Sequence, residues 1–404
     1  MGTDGGWRVS LYLAVRAIRR GNRNTVALTI LIIALVVVLM NFFSMIIGGI
    51  VIIYNQQMID YQYGHVTIEP KDRETTIANA GALVRTIERV PGVTGVSARV
   101  STGTTITNPR NGKFQSKAVT AFDPVDERTV TDFEKMILEG DYLSRGDTDQ
   151  IVIGKLFAGN EDEVKDKLPS LGGVRVGDRI TVAYSNGVVK SYRVKGIYET
   201  QSVMVDSLVF ITRTEMDSVM HTGDMATEIL VRGTSADTAV PLKYAIMSYG
   251  VEERVKTWNE RGKGTIGDAI SSFSLLNGIM TIVSLIVASV VVFIVTFINI
   301  INRRKQIGIL KAIGIRPQVI VGSYLFQVIL LGIAGVTAGI LILGTLSTVL
   351  SVYQLRFPMG YITPTMDYAI FATSIILLFC VAILSGYLPA RRVTNEEILD
   401  AMRG

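Results

Sequence analysis

Four long stretches of the chain carry no charged residue, and they constrain the fold more than any other feature. They contain 36, 34, 39 and 23 residues, at positions 24–59, 269–302, 317–355 and 368–390. About 20 mostly apolar residues are enough for a helix to cross the roughly 30 Å hydrocarbon core of a bilayer. Each stretch therefore predicts a transmembrane helix, and the expected fold class is a membrane protein with four transmembrane helices.

The first stretch is longer than a membrane requires. At about 1.5 Å per residue, it would measure roughly 54 Å as a continuous helix. We therefore expect it to continue beyond the membrane as a stalk that includes 54–61, and we expect the second span to begin from a matching stalk near Ser271. A stretch of this length behind a basic segment also exceeds the apolar core of a signal peptide, so we expect no cleavage.

The distribution of charge predicts the orientation in the membrane. Of the 404 residues, 49% are hydrophobic and 19% are charged, with a net charge of +5. Positions 1–24, 303–316 and 391–404 together hold 13 Lys/Arg and 4 Asp/Glu, whereas positions 54–268 hold 26 and 30. Because basic flanks of apolar helices favour the cytoplasmic side, we expect both termini and the 303–316 loop in the cytoplasm of a multi-pass inner-membrane protein. The same distribution predicts no nucleic-acid partner.

The segment between the first two spans, 60–268, is the only part able to form a sizeable soluble core, and it is expected outside the membrane as an α+β domain. Helical patterns occur at 77–90 and 236–249. An early helix and strand and a late pair flank a predicted strand-rich insertion at about 105–200. Strand-like runs occur at 65–68, 93–100, 151–153, 180–184, 188–194, 203–211 and 228–231, with a hairpin turn at 185–187.

Residues with catalytic or ligand-binding potential are sparse. The chain has two histidines, His65 and His221, and one cysteine, Cys380, so no intrachain disulfide can form. The segment Gly262-Lys263-Gly264-Thr265 matches only the end of a phosphate-binding loop, and a flexible joint is the favoured interpretation. His65, at a strand start, is expected to be structural. We expect no catalytic, cofactor-binding or metal-binding residue in this chain.

The 303–316 loop has a pattern of its own. It begins with Arg303, Arg304 and Lys305, and apolar residues follow at helical spacing at Ile307, Leu310 and Ile313. From the residues alone, this is a short helix that lies at the membrane interface and needs no partner.

A family resemblance adds a second interpretation of this loop. Arginines followed by Ile307-Gly308-Ile309-Leu310-Lys311-Ala312-Ile313-Gly314 resemble the coupling helix of ABC-transporter permeases of the MacB/FtsX/LolC-LolE superfamily. The sequence departs from that pattern at Gln306, where the family most often has Glu. The resemblance implies that this segment contacts a separate ATPase through Arg303, Arg304, Gln306, Ile307, Leu310 and Ile313.

The resemblance covers nearly the whole chain. Segments 13–20 and 389–403 are similar to the two cytoplasmic ends of the family, and Thr394 with Glu397 has capping-box spacing. Gly335 and Gly339 form a G-x-x-x-G motif that permits close helix packing in span three. Stretches that resemble the LolC/LolE branch in particular are 64–68, 122–124, 138–143, 176–178, 194–198, 206–211 and 257–258.

The resemblance implies a function as well as a fold. The chain is expected to be the permease of an ABC complex, with a MacB-type outer domain and two copies of an ATPase subunit that bind ATP and Mg. A second copy of the permease or a paralogue, and membrane lipid, complete the expected partners. ATP-driven motion would reach the outer domain through the stalks without substrate crossing the membrane, so no enzymatic activity is expected in this chain.

The cargo stays open between three hypotheses. Release of lipid-anchored proteins would use a groove between spans one and two, with Met40, Phe42, Phe43, Met45 and Ile46 as acyl contacts or as ordinary span packing. Export of a peptide, antibiotic or other amphiphile would involve a periplasmic adaptor. FtsX-like signalling to a cell-wall hydrolase is disfavoured by the size of the outer domain. An integral-membrane enzyme would need polar residues converging at membrane depth, and the sequence does not indicate them.

The expected segments follow from these arguments. They are a cytoplasmic amphipathic helix (1–24), span one with its stalk (25–59), the outer domain (60–268), a stalk with span two (269–302), the coupling helix (303–316), span three (317–355), a short outer loop (356–367), span four (368–390) and a cytoplasmic C-terminal helix (391–404).

Overall fold

The structure is a computed structural model that describes residues 6–161, 166, 168–353, 355–357 and 360–394. Most of the predicted C-terminal helix at 391–404, including Glu397 of its capping pair, lies outside the described residues. The chain divides into two compact units. One is an outer unit, Val51–Asp268 with Arg356–Tyr361, and the other, called the membrane unit below, contains the rest of the described chain.

Two helices open the chain, α1 (Gly6–Arg20) and α2 (Arg23–Gln57). Helix α2 passes directly into a six-residue π-helical turn, Met58–Tyr63, which ends at Gly64. Gly64 has a φ of 60°, and a Cβ there would come within 2.8 Å of the Val231 carbonyl oxygen. A residue with a side chain could not end the turn in this way without strain.

The outer unit contains most of the strands. In chain order its elements are β1 (Val66–Glu69), α3 (Ala80–Ile87), β2 (Val93–Thr107), β3 (Phe114–Phe122), α4 (Pro124–Val130), β4 (Ile137–Gly140), β5 (Gln150–Gly154), α5 (Lys155–Ala158), β6 (Arg179–Tyr184), β7 (Val189–Tyr198), β8 (Val209–Thr212), α6 (Arg213–Met220), β9 (Glu228–Gly233), α7 (Ala239–Ser248) and β10 (Arg254–Thr257).

The long strand β2 belongs to both halves of the outer unit. Up to Arg99 it pairs with β9 in the antiparallel order β10-β1-β9-β2. From Val100 onward it pairs with β3, in the order β2-β3-β8-β5-β7-β4, and β6 bridges β2 and β7. The change of partner between Arg99 and Val100 divides the unit into a first lobe (β1, β9, β10, α3, α7) and a second lobe built on the other strands.

Each lobe has its own hydrophobic core. The first lobe buries Ile68, Ile87, Ile229 and Ile246 between sheet and helices. The second lobe buries a larger set that includes Ile106, Ile151 and Tyr192. A third cluster of mostly aromatic side chains forms beside the second sheet; its buried members are Phe122, Phe133, Leu143, Val152, Tyr198, Val205 and Phe210.

The remaining elements complete the membrane unit and the hairpin between spans three and four. They are α8 (Trp258–Asn302), α9 (Arg304–Ala312), α10 (Pro317–Val352), β11 (Leu355–Phe357), β12 (Gly360–Ile362) and α11 (Tyr368–Thr394). Among the described residues, four helical segments are long and apolar enough to cross a membrane: Arg23–Tyr63, Ser272–Asn302, Pro317–Val352 and Tyr368–Arg392. The chain therefore has the four spans and the inserted α+β domain that the sequence predicts.

Helix α10 is the centre of the membrane unit. Its Leu331, Val336 and Leu343 are buried in one cluster with Val37 of α2 and Leu378 of α11. Helix α1 also lies against α10, where the hydroxyl of Ser10 donates to the Val319 carbonyl at 2.9 Å. The amphipathic pattern of the first segment is thus explained by packing on α10 as well as by any interfacial position.

Several local predictions need correction. The helix predicted at 77–90 begins at Ala80, because Ile77 is held in a β-bridge with Ala226. The strand predicted at 203–211 is confined to β8, and a 3₁₀ turn at Val205–Ser207 precedes it. The insertion extends beyond 105–200, because β8 and α6 complete the second lobe. The predicted outer loop at 356–367 contains most of the β11–β12 hairpin.

Candidate coupling helix and membrane-unit surfaces

Helix α9 is a short helix fixed at both ends. Arg303 precedes it, and the Arg303 guanidinium donates to the Ala17 carbonyl of α1 at 2.9 Å. At the other end Gly314 has a φ of 93°, and the N–H groups of Gly314 and Ile315 donate to Lys311 and Leu310. A glycine in the left-handed region is a common helix terminator. The loop thus presents one defined helix between spans two and three.

The inner face of α9 packs into the chain's own core. Ile307 is only 3% exposed and lies in a cluster with Ile300, Ile320, Tyr324 and Ala390. Leu310 is partly buried against the same cluster. In this conformation Ile307 offers no surface to a second protein, and Leu310 offers only part of one.

The outer face of α9 carries a different apolar pair. Ile309 is 53% exposed and Ile313 is 74% exposed, four residues further on, with Gln306 exposed beside them. Residues at this spacing lie on one face of a helix. Of the predicted apolar set only Ile313 faces outward, and Ile309, which was not predicted, lies on the same face. Within 306–313, helical spacing fits either face of α9 as the buried one. Only the packing of α9 on α10 decides which face is buried. The side chain of Arg304 lies outside the described residues.

The predicted cargo-groove residues on α2 do not share one surface. Met40 and Met45 are buried in the core of the membrane unit, and Phe42 is partly buried against it. Ile46 is half-buried, and only Phe43 is exposed, at 43%. Met40 and Met45 therefore pack between the spans and do not face a groove. Between positions 28 and 43, the large apolar residues that α2 does expose are Leu28, Leu31, Leu35, Leu39 and Phe43.

A small cavity with polar and apolar lining residues lies between α2, α8 and α10, and no sequence pattern predicts it. Its volume is about 20 Å³, and its polar lining residues are Thr29, Thr296, Asn299, Tyr324 and Gln327. Thr296, Tyr324 and Gln327 are at least nine-tenths buried. Tyr324 also belongs to the cluster that holds Ile307. Polar residues therefore do converge inside the membrane unit, next to the inner face of α9.

The G-x-x-x-G motif lies against α2. A Cβ on Gly335 would come within 2.5 Å of Cγ2 of Ile33, and one on Gly339 within 2.9 Å of Cβ of Val37. Because real Cβ atoms do not approach that closely, the two glycines are what allows this helix separation.

Other motifs singled out from the sequence have structural positions. Nδ1 of His65 accepts a hydrogen bond from the Gly233 N–H at 2.9 Å, which confirms its structural role. Gly262 to Thr265 lie inside α8, so this segment is neither a phosphate-binding loop nor a flexible joint. Within the described residues there is no group of three or more His, Cys, Asp or Glu that could hold a metal ion.

The fold and these surfaces define a polytopic membrane protein with a two-lobed outer domain and a short helix between spans two and three. Residues 26–247 match the model of the MacB-like periplasmic core domain, and residues 278–398 match the FtsX-like permease C-terminal region. The chain therefore belongs to the family of permeases with a MacB-like periplasmic core domain, within the MacB/FtsX/LolC superfamily.

Curated relatives match parts of the chain. MacB, the macrolide export ATP-binding/permease protein of Chromobacterium violaceum, is 24% identical over 155 residues, which is 38% of this chain and 22% of that protein. MacB of Acinetobacter baylyi is 26% identical, over 52% of this chain and 32% of that protein. The uncharacterized ABC transporter permease YvrN of Bacillus subtilis is 27% identical, over 46% and 42%. The chain thus matches less than half the length of each of these relatives.

Two solved structures are each similar to about half of the chain. The periplasmic region of MacB from Actinobacillus actinomycetemcomitans has 13% identity and a TM-score of 0.35, and covers 50% of this chain and 91% of that one. The extracellular domain of the ABC-type transporter YknZ from Gram-positive bacteria has 13% identity and a TM-score of 0.34, and covers 48% and 97%. The closer resemblance to LolC/LolE finds no support in these comparisons.

Proposed function

We propose that this chain is the membrane-spanning subunit of an ABC-type transport complex whose separate ATPase docks on α9. The observation that carries the proposal is the exposed pair Ile309 and Ile313 on a helix whose other face is fixed in the core. Burying an isoleucine side chain contributes about 1.5–3 kcal/mol, so a partner groove over this pair gains binding energy. ATP and Mg would be bound by the ATPase, in two copies.

The fixed inner face makes α9 suited to transmit motion. Ile307 ties the helix to Ile320 and Tyr324 of α10, and Arg303 ties its start to α1. A force applied at Ile309 and Ile313 would therefore move α1 and α10 with it, because close-packed side chains resist compression. Family membership supports this use of the loop. In the proposal, α9 and both termini lie in the cytoplasm and the spans cross the inner membrane.

The other partners in the proposal are lipid and a second permease. Helix α8 exposes Ile279, Ile282, Ile286, Phe293 and Phe297 along its length. Helix α2 exposes a stripe of residues from Leu28 to Phe43. Surfaces this apolar are stable against lipid tails or against another apolar surface. The second permease that covers them could be an identical copy of this chain or a paralogue.

For the cargo we favour export of an amphiphilic compound such as a peptide or macrolide, with a periplasmic adaptor. The names of the MacB relatives support this choice. Release of lipid-anchored proteins is the second candidate, favoured by the exposed stripe from Leu28 to Phe43, which an acyl chain could contact. Lipid-anchored cargo would then be expected beside these residues and not beside Met40 and Met45.

Docking is tested with a double variant, Ile309→Asp with Ile313→Asp, in the tagged full-length chain. We expect an ATPase, identified by mass spectrometry, to co-purify with the wild type in detergent and to fall at least tenfold in the variant. Gln318→Asp, an exposed residue at the start of α10, is the matched control and should retain the ATPase. Equal retention by both variants would exclude the docking face, and no ATPase with the wild type would exclude the complex.

The cargo is tested on the same purified complex with and without trapped nucleotide. Peptides with an acylated N-terminal cysteine that leave when nucleotide is trapped would favour lipoprotein release. Loss of resistance to an amphiphilic antibiotic on deletion of the chain, without acylated peptides, would favour export. A co-purified cell-wall hydrolase without either result would favour signalling.

A further inference from the structure

The π-helical turn Met58–Tyr63 is fastened to the outer unit by contacts on several sides. The Asp60 carboxylate pairs with Arg232 of β9 at 2.9 Å, and the Asp60 carbonyl accepts from the Asp132 N–H at 2.8 Å. The guanidinium of Arg261 lies 5.0 Å from the centre of the Tyr63 ring. A six-residue turn held at this many points is a fixed continuation of α2.

The same turn contacts both lobes. Arg232 belongs to β9 of the first lobe. The Tyr61 ring packs on Phe133, with ring centres 6.0 Å apart, at the edge of the aromatic cluster beside the second sheet. Asp60 therefore joins the end of α2 to the first lobe, and the next residue, Tyr61, joins it to the second lobe.

A buried ion pair lies where the two sheets meet. Arg99 is the last residue of β2 paired with β9, and Val100 is the first paired with β3. The Arg99 guanidinium contacts Glu127 of α4 at 2.5 Å and Glu228 of β9 at 3.7 Å. Arg99 also donates to the carbonyl of Gln62, in the π-helical turn, at 2.9 Å.

Glu127 is held in its charged form by these contacts. Burial acts to raise its pKa, but the Arg99 charge and hydrogen bonds from Arg99, Ser97 and Thr131 lower the pKa below its usual value. The hydroxyls of Ser97 and Thr131 donate to it at 2.7 Å each. A buried carboxylate whose hydrogen bonds are all satisfied is held in one favoured geometry. The Arg99–Glu127 pair is therefore a fixed point between the two lobes.

We propose that the turn Met58–Tyr63 and the Arg99–Glu127 pair form a joint that sets the angle between the two lobes and links that angle to α2. Asp60, Arg99 and Arg232 are its positioning residues. Displacement of α2 along or about its axis pulls on Gln62 and Asp60, and the lobes respond because both are attached to this point. The joint stands on the contacts of the outer unit alone, whereas its use during transport rests on the proposed function.

The joint is tested by distance measurements between spin labels on the two lobes of the full-length chain in detergent. Labels are placed at Val240→Cys in α7 and Val189→Cys in β7, both exposed, in a Cys380→Ser background. Asp60→Asn removes the ion pair with Arg232, and Arg99→Lys removes the forked contact with Glu127 while keeping the charge. We expect a narrow wild-type distribution that becomes at least twofold wider in each variant.

The matched control is Lys71→Met, which removes an exposed ion pair with Glu252 in the first lobe. It should leave the distribution unchanged. The joint would be overturned if the variants gave distance distributions as narrow as that of the wild type, or if the control widened the distribution equally. If Arg99→Lys does not fold, as judged by thermal unfolding, Asp60→Asn decides, because the Asp60 side chain is less buried than that of Arg99.

A second measurement separates the joint from the proposed function. In the complex with the ATPase and trapped nucleotide, the wild-type distance should shift, and the shift should be lost in Asp60→Asn. Wider distributions in the isolated variants without any shift in the wild-type complex would leave the joint in place and overturn its role in transmission.

Discussion

His65 is a buried side chain held in one protonation state. It is 5% exposed, and burial, together with the Arg232 charge, lowers its pKa to about 4. Its Nδ1 accepts from Gly233, so a proton at this atom would remove the hydrogen bond. The neutral ring is therefore part of the link between β1 and β9, and the folded state resists protonation.

We predict that His65 makes the outer domain less stable in mild acid. The unfolded state takes up a proton near pH 6.5, while the folded state does so only near pH 4. Between these values the unfolded state binds more protons, so stability falls as the pH falls, by about 1–3 kcal/mol in total. Thermal unfolding of the full chain between pH 7 and pH 4.5 should show a smaller loss for His65→Gln than for the wild type.

The control for this prediction is His221→Gln, which changes the only other histidine, an exposed one. It should follow the wild type. The difference between variants is needed because burial raises the pKa of Asp206 to about 6, and Asp206 therefore stabilises the fold as the pH falls through that range. A His65→Gln variant with the wild-type pH profile would contradict the assignment.

Gln327 gives a second prediction at this scale. It is 7% exposed and lines the cavity between α2, α8 and α10, where half of the lining residues are apolar. Because an amide in largely apolar surroundings costs about 1–3 kcal/mol, Gln327→Leu should raise the thermal unfolding midpoint of the membrane unit. Gln318→Leu, on the exposed start of α10, should not. A lower midpoint for Gln327→Leu would show that the amide is needed.

At the scale of elements, helical period predicted that α9 exists but not which side of it is free. Ile307 and Leu310 fit one face and Ile309 and Ile313 fit another, and both faces are apolar. The packing of α9 on Ile320 and Tyr324 of α10 selects the buried face. Those contacts come from distant positions in the chain, so no local pattern contains them.

The contact between α2 and α10 gives a prediction for a pair of helices. Gly335→Ala and Gly339→Ala should each destabilise the chain by about 1–3 kcal/mol, because the added methyl group meets Ile33 or Val37. Gly344→Ala is the control in the same helix, since a Cβ there meets nothing within 4 Å. It should be neutral or stabilising by up to about 1 kcal/mol, because alanine favours a helix over glycine.

Detergent unfolding midpoints measure all three glycine variants. The sign is the test: a loss for positions 335 and 339 with none for 344 supports close packing. Equal effects at the three positions would mean that helix propensity alone is being measured. Ile33→Ala combined with Gly335→Ala should lower the midpoint by less than the sum of the two single changes, because each change removes one side of the same close contact.

At the scale of the whole molecule, the positions of the basic segments predict orientation. Cysteine variants Gln318→Cys and Val189→Cys, each with Cys380→Ser, should react differently with a membrane-impermeant maleimide on intact spheroplasts. Position 189 should be labelled on intact spheroplasts, and position 318 only after the membrane is opened. The extent of labelling of the two positions on intact spheroplasts should differ at least tenfold. The reverse result would invert the orientation and remove α9 from the ATPase side.

The sequence by itself determined the number of spans, the inserted α+β domain and the basic flanks of the helices. Charge-free length and basic flanks are properties of continuous segments, so they can be read without knowing any neighbour. Many strands, such as β6 and β7, could also be predicted from local sequence, because β-branched runs and a hairpin turn identify them. Strand β3, with Lys117 and Gln115 on one side, was missed because its stability comes from pairing with β2.

Only the tertiary structure decided which faces are buried and which polar residues meet. Met40 and Met45 pack between spans, Ile309 replaces Ile307 on the outer face of α9, and Arg99 lies where two sheets join. Thr29, Thr296 and Gln327 come together from three helices. Burial of a side chain depends on what packs against it, and these partners lie far away in the sequence; for that reason the elements could be predicted and their contacts could not.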